Sequence, residues 1–397
     1  MNQPYAPLAL YIDGEFVEAN ERDGENVFNP ADGSVLGHLP HATDRDLDNA
    51  LNAAARAFDK WSKSSPLERG RILKRVAELI RERAEGIALD LTRDQGKPLA
   101  EARNEVIMAA DHAEWHAEEC RRIYGRVIPS RRPSVRQLVI REPVGVCAAF
   151  TPWNFPFNQA LRKISAALAS GCTLIIKPAE DAPSAGVALA RLFHEAGLPG
   201  GCLNVVWGAP SIISRHLIES PIVRKISFTG SVAVGKQLAA LAGHHMKRVT
   251  MELGGHSPVI IFDDADIERA APLLARLKTL NAGQVCMAPG RFYVQQGIVG
   301  AFTRIFADAV ADRVLGNGID PATTMGPLAH ERRVDAMEAF VRDARDRGAD
   351  ILTGGVRLAC AGSFFPPTVL GSVSDSSSVM TEEVFGPIAP ITSFNNV

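Results

Sequence analysis

An α/β fold around a buried parallel sheet is predicted by three observations. Short apolar runs rich in β-branched residues recur at VGVCAAF (144–150), TLIIK (173–177), LNVVW (203–207) and KISF (225–228). Helix-like segments lie between them, Gln159–Ser170 and Ser184–Ala196 being two, and alternation of strand with helix implies βαβ crossovers. The 397 residues, 46% hydrophobic and 22% charged, suffice for two domains or one large α/β unit.

Ahead of the sheet the chain reads as helical. Thr43 with Asp46 resembles a capping box, and Leu47, Ala50, Leu51, Ala54 and Phe58 follow at helical spacing. Ser65, Pro66 and Glu68 start a second helix, with Ile72, Leu73, Val76, Leu79 and Ile80 on one face. The strand pattern begins near residue 144. Parallel sheets bind ligands beyond the carboxyl ends of their strands. TPWNFP, KPAE and FTGS each follow directly on a predicted strand, so chemistry is expected there.

Composition narrows the partners. A formal net charge of -2 gives no reason to expect nucleic acid or acidic lipid. The start, MNQPYAPLALYIDGEF, lacks a basic segment followed by a long apolar core, and no apolar run is long enough to span a bilayer; a cytoplasmic protein is expected. The six cysteines (Cys120, Cys147, Cys172, Cys202, Cys286, Cys360) form no CxxC pair, which argues against a zinc site and a disulfide framework. Cys147, Cys172 and Cys202 lie in or beside apolar runs and read as core. Cys286, in NAGQVCMAPGR (281–291), has polar, glycine-containing flanks that leave both a buried thiol and a nucleophile open, the buried thiol being the safer reading on these residues alone.

Three patterns are decoys. GSVAVGKQ (230–237) approaches a Walker A loop, but Gln237 stands where Ser or Thr must hold magnesium. His112 and His116 lie one helical turn apart, yet Glu114 is misplaced for a metalloprotease motif, so they read as a helix face and no metal is expected. The basic stretch RRIYGRVIPSRRPSVR (121–136) has no useful aromatic interleaving and reads as a connector or subunit contact. No GxGxxG loop follows an early strand either.

The remaining motifs each have a functional and a bland reading. Asn154 in TPWNFP can donate to a developing oxyanion without adding charge, or it is a turn asparagine. In KPAE, Lys177 and Glu180 can hold ribose hydroxyls, or they form a surface pair opening a helix. Ser231 after Gly230 can offer helix-terminal amides to a diphosphate, or simply cap the helix. Glu252, ending a strand before Gly254 and Gly255, can swing on a mobile glycine pair to activate water, or is a solvated acid.

Taken together, TPWNFP, KPAE, FTGS, ELGG, GQVC and EEVFGPI occur in the order seen in the NAD(P)-dependent aldehyde dehydrogenase superfamily, which the chain resembles over essentially its whole length. DQGKPLAEARNEV and WHAEECRRIYGRVIPS look most like the succinate-semialdehyde dehydrogenase group. The resemblance implies a parallel-sheet cofactor domain (1–125 and 142–253), a subunit-contact arm (126–141) and an α/β catalytic domain (254–397). It implies Cys286 as nucleophile, Asn154 as oxyanion donor and Glu252 as base. Trp153, Lys177, Pro178, Ala179, Glu180, Gly230, Ser231, Leu253, Glu383 and Phe385 would contact the cofactor. Glu180 would repel a 2'-phosphate, which favours NAD while leaving NADP admitted if the side chain swings out. A homo-oligomer, dimer or tetramer, is implied as well, provided the C-terminal strand of the family is supplied.

Two departures qualify the resemblance. Arg162 matches the first arginine that the semialdehyde group uses for a distal carboxylate, but Leu280 stands at the second position, and MAPGR after Cys286 lacks a partner cysteine. Family members also continue beyond the position of Val397, so a shortened catalytic domain is expected. The leading expectation is oxidation of an aldehyde, succinic semialdehyde among the candidates, through a cysteine thiohemiacetal and thioester. A non-catalytic NAD-binding relative and a cysteine esterase are the alternatives.

Overall fold

The computed structural model describes residues 4–19 and 22–396; Val397, the expected end of the catalytic domain, lies outside them. The chain separates into two compact units, each assembled from discontinuous segments. The first comprises Met1–Val27, Gly37–Asp90 and Arg103–Glu252; the second comprises Phe28–Leu36, Leu91–Ala102 and Leu253–Val397.

The first unit holds a seven-stranded sheet in the spatial order Arg248–Leu253, Val223–Gly230, Val146–Phe150, Thr173–Lys177, Leu203–Val205, Ala9–Ile12, Glu15–Glu18. The strands from Val223–Gly230 to Leu203–Val205 pair in parallel, and the N-terminal hairpin joins antiparallel at the edge. Val146–Phe150 and Thr173–Lys177 are buried at every position, which explains why they read as continuous apolar runs. The chain runs outward from Val146–Phe150 through the next two strands, then returns to pair Val223–Gly230 on its other side. That reversal is a topological switch point, and it opens a crevice beyond Phe150 and Gly230.

The expected helices form, with shifted ends. Thr43 and Asp46 make a reciprocal capping box on Asp44–Trp61, and Ser65 caps Pro66–Glu82 by accepting from the Glu68 N–H. The helix expected from Gln159 starts earlier, at Pro156, because proline at the first helical position lacks only a donor that the helix cannot use. LNVVW yields a strand only over Leu203–Val205, whereas KISF extends to Val223–Gly230. A short antiparallel ribbon, Arg126–Ile128 with Gln137–Val139, is exposed along both strands.

The second unit has its own five-stranded sheet, in the order Pro258–Ile261, Arg291–Gln295, Ile388–Phe394, Thr368–Gly371, Asp350–Thr353. One side packs as an aromatic core in which Phe306 meets the Phe292 and Phe302 rings at centroid distances of 4.8 and 5.5 Å. Among the described residues no helix is long and apolar enough to cross a membrane.

Candidate active site

In the first unit the switch-point crevice collects the expected residues around strand ends. Asn154 follows strand Val146–Phe150 and is buried just before helix Pro156–Ala169. That helix has no side-chain cap of its own from Phe155. Buried Glu105 supplies one instead, accepting from the Phe157 and Asn158 N–H groups at 2.9 and 3.0 Å. The sequence offered no local sign of this, because the cap comes from another helix.

Lys163, two turns into the same helix, donates to Ser227 Oγ at 2.8 Å. Burial pushes its pKa down to about 8 against the opposing pull of Glu252. Glu252 itself is exposed, so the solvated-acid reading and the base reading share this position. Arg162 is exposed on the neighbouring position, and among the described residues no carboxylate pairs with it. His112 and His116 occupy one helix face, as expected, and His116 Nδ1 lies 2.8 Å from Ser165 Oγ.

Lys177 and Glu180 come together as an ion pair at the end of Thr173–Lys177. Burial raises the Glu180 pKa while the Lys177 charge opposes the shift. Ser231 caps helix Val232–His244 by accepting from the Val234 N–H, and GSVAVGKQ is this strand-to-helix junction rather than a phosphate loop of the Walker kind.

The second unit carries Cys286. Helix Ile267–Thr279 is followed by three successive left-handed residues, Asn281 (φ 47), Ala282 (φ 51) and Gly283 (φ 74). For Asn281 and Ala282 this backbone is costly and needs external support. Buried Gln284 supplies part of it: its Nε2 donates to the Asn281 carbonyl at 3.0 Å, and its Oε1 accepts from the Ala329 N–H at 3.1 Å. Glu101 Oε2 accepts the Asn281 N–H at 2.8 Å. Beyond the sulfur, the chain is held to the segment after Gly255: the Gly290 N–H donates to the Ser257 carbonyl at 2.8 Å, and Arg291 donates to the His256 carbonyl at 2.9 Å. Burial, with the Arg291 charge adding to it, lowers the His256 pKa to about 4, so that ring is neutral near pH 7.

The cysteines then separate by environment. Cys120, Cys147, Cys172 and Cys202 are buried, whereas Cys286 and Cys360 are exposed. Cys286 is not a core thiol. Cys360 was not distinguished by its flanks and belongs to the loop before Thr368–Gly371.

Glu383 and Phe385 lie in the loop that supports the Cys286 turn. A Cβ on Gly283 would overlap the Gly386 carbonyl. Half-buried Arg333 donates to the Val384 and Phe385 carbonyls and holds Phe385 at φ 48. The glycine pair after Glu252 has a steric consequence beside the mobility expected of it. A Cβ on Gly254 would overlap the Glu383 carboxylate, and Glu383 accepts the Gly255 N–H. Gly254 leaves room for a carboxylate here, whereas Gly255 has open space around it. Leu253, beside them, is partly exposed.

Comparison with known proteins agrees over nearly the whole chain. The profile of the aldehyde dehydrogenase family matches residues 16–397. The glutarate-semialdehyde dehydrogenase of Pseudomonas putida is 42% identical over 386 residues, covering 97% of this chain and 80% of that protein. The NADP(+) succinate-semialdehyde dehydrogenase GabD of Escherichia coli is 42% identical over 385 residues, with the same coverage of 97% and 80%. The crystal structure of a succinate-semialdehyde dehydrogenase from Burkholderia pseudomallei superposes with a TM-score of 0.96 at 41% identity, covering 100% of this chain and 82% of that one. The chain belongs to the aldehyde dehydrogenase family of NAD(P)-dependent oxidoreductases.

Proposed function

We propose that this protein oxidises a carboxylated aldehyde, of the succinic or glutaric semialdehyde class, to the acid through Cys286. The observation that carries the reading is the exposed sulfur at the end of a buttressed left-handed turn, in a chain whose core cysteines are buried. The Cys286 thiolate attacks the aldehyde carbon, and the carbonyl electrons move onto oxygen, giving a thiohemiacetal anion. The Asn154 carboxamide and the Cys286 N–H stabilise that anion by donating hydrogen bonds. NAD(P), when bound, would supply the acceptor for the hydride whose loss leaves Cys286 carrying a thioester. Glu252 then takes a proton from water, the hydroxide adds to the thioester carbon, and the Cys286 thiolate leaves as the acid forms. Lys163 lies close enough to Glu252 for the carboxylate to favour the lysine's cationic form against burial.

The cofactor would be held largely by the first unit, with the second as catalytic body. Ser231 presents the exposed first turn of Val232–His244 to a diphosphate, with Trp153 and Gly230 nearby in the crevice. Lys177 and Glu180 fit a ribose diol, one donating and the other accepting, with Pro178 and Ala179 forming the backbone between them. Glu383, Phe385 and Leu253 serve the nicotinamide end. The half-buried Glu180 carboxylate disfavours a 2'-phosphate, so NAD is preferred and NADP tolerated. The protein acts in the cytoplasm as a homo-oligomer.

The test is NADH formation with succinic semialdehyde, glutaric semialdehyde and propanal, run beside Cys286→Ala. Loss of a nucleophile costs about 10⁴-fold or more in turnover, and that loss is expected here. A variant that still reduces NAD at the parent rate would refute the mechanism, and parent activity confined to propanal would refute the substrate class.

A further inference from the structure

Glu101 is an acid spent on a backbone amide. It lies in the first turn of helix Leu99–Glu119, where a carboxylate is ordinarily stabilised by exposed amides and by water. Here its side chain turns away from that role. Its Oε2 accepts the N–H of Asn281, 180 residues later in the sequence, at 2.8 Å. The helix start is itself fixed, because the Leu99 N–H donates to the Gly318 carbonyl at 2.8 Å. The carboxylate is therefore a rigid post standing against the first left-handed residue of the Cys286 turn.

That residue is where support is needed. Asn281 and Ala282 are both left-handed without being glycine, and only a surround that over-determines them keeps them so. Gln284 ties the turn from its carbonyl side through Asn281 and from Ala329. Glu101 ties it from the amide side. With both bonds made, the turn is tied on its amide side and its carbonyl side, and Cys286 follows two residues after Gln284.

We infer that Glu101 is the positioning residue for Cys286, holding the Asn281–Gly283 turn in the conformation that presents the sulfur. The inference rests on Cys286 being the nucleophile. Its chemistry has a consequence for pH. Burial raises the Glu101 pKa to about 7, the Asn281 hydrogen bond, Lys97 and Arg276 opposing the shift. Lys97 reaches it from the segment before the helix and Arg276 from helix Ile267–Thr279. An ionised acceptor makes the stronger bond. The turn therefore tightens as pH rises through about 7 and loosens below it.

Glu101→Ala and Glu101→Gln in the full chain test this. Misplacing a reacting group by about 1 Å costs roughly 10²-fold in rate, so Glu101→Ala is expected to lose about that in kcat while the aldehyde KM stays near the parent value. Glu101→Gln keeps an oxygen acceptor and is expected to restore most of kcat. It should also flatten the neutral limb in the pH dependence of iodoacetamide alkylation at Cys286, followed by peptide mass spectrometry. Parent-like kcat in Glu101→Ala, or no rescue by Gln, overturns the inference. If Glu101→Ala does not fold, Glu101→Gln decides alone: a lost neutral limb supports the role and a retained one overturns it. Cys286→Ala run in parallel keeps the two readings apart. Turnover persisting in that variant removes the nucleophile assignment, while alkylation of Cys286 in the Glu101 variants still reports on the turn.

Discussion

Arg162 and Leu280 set the substrate question at the level of single residues. The family resemblance implies two arginines for a distal carboxylate, and this chain supplies one, with half-buried Leu280 at the second position. Arg162 has no carboxylate partner among the described residues, so its guanidinium is available to an anion. It can bind both carboxylate oxygens at once, which suits a short semialdehyde. A charge-assisted hydrogen bond contributes about 1.5–3 kcal/mol, or roughly 10- to 100-fold in binding. Arg162→Ala should raise the KM for succinic and glutaric semialdehydes by about that factor and leave propanal unaffected. Initial-rate measurements with the three aldehydes decide it, and an equal effect on propanal would remove the arginine from substrate recognition.

At the level of elements, the Cys286 turn depends on a glycine that nothing larger can replace. Gly283 has φ 74, and a Cβ there would overlap the Gly386 carbonyl of the loop carrying Glu383 and Phe385. Gly283→Ala must strain the backbone and displace that loop, at a cost of about 1–3 kcal/mol for the strain alone. A lower melting temperature together with a roughly 10-fold or greater fall in kcat is the expected pair of results. A variant with parent melting and turnover would mean the two loops are not coupled. This support was invisible in the sequence for a physical reason. The strands were legible because burial on both faces leaves continuous apolar runs, and the helix starts because Thr43 and Ser65 cap them locally. The positions of Asn154, Lys177 and Ser231 followed from lying just past strand ends. Glu101, Glu105, Gln284 and Arg333 leave no such trace. Each acts on main-chain groups of a segment remote in sequence or already folded into a turn, and an amide or carbonyl has no residue signature. The steric need for Gly254 was hidden for the same reason, since the Glu383 carboxylate beside it is far along the chain.

For the whole molecule, the exposed ribbon is where the proposed assembly can be tested. Arg126–Ile128 and Gln137–Val139 form a two-stranded sheet with every residue exposed, and such a hairpin is marginal in water without a third element. Val127 and Leu138 are directly opposite in its register and are 76% and 68% exposed. Under the homo-oligomer proposed above, this apolar cross-strand pair is expected to be covered by a second copy of the chain. Substituting both residues, Val127→Asp with Leu138→Asp, sets two carboxylates against each other on that face, which is unfavourable in a ribbon and more so in a dry interface. The double variant should sediment at a smaller mass than the parent while keeping the parent's far-ultraviolet circular dichroism, because neither side chain contributes to a buried core. Equal masses at equal protein concentration would show that the ribbon does not hold subunits together.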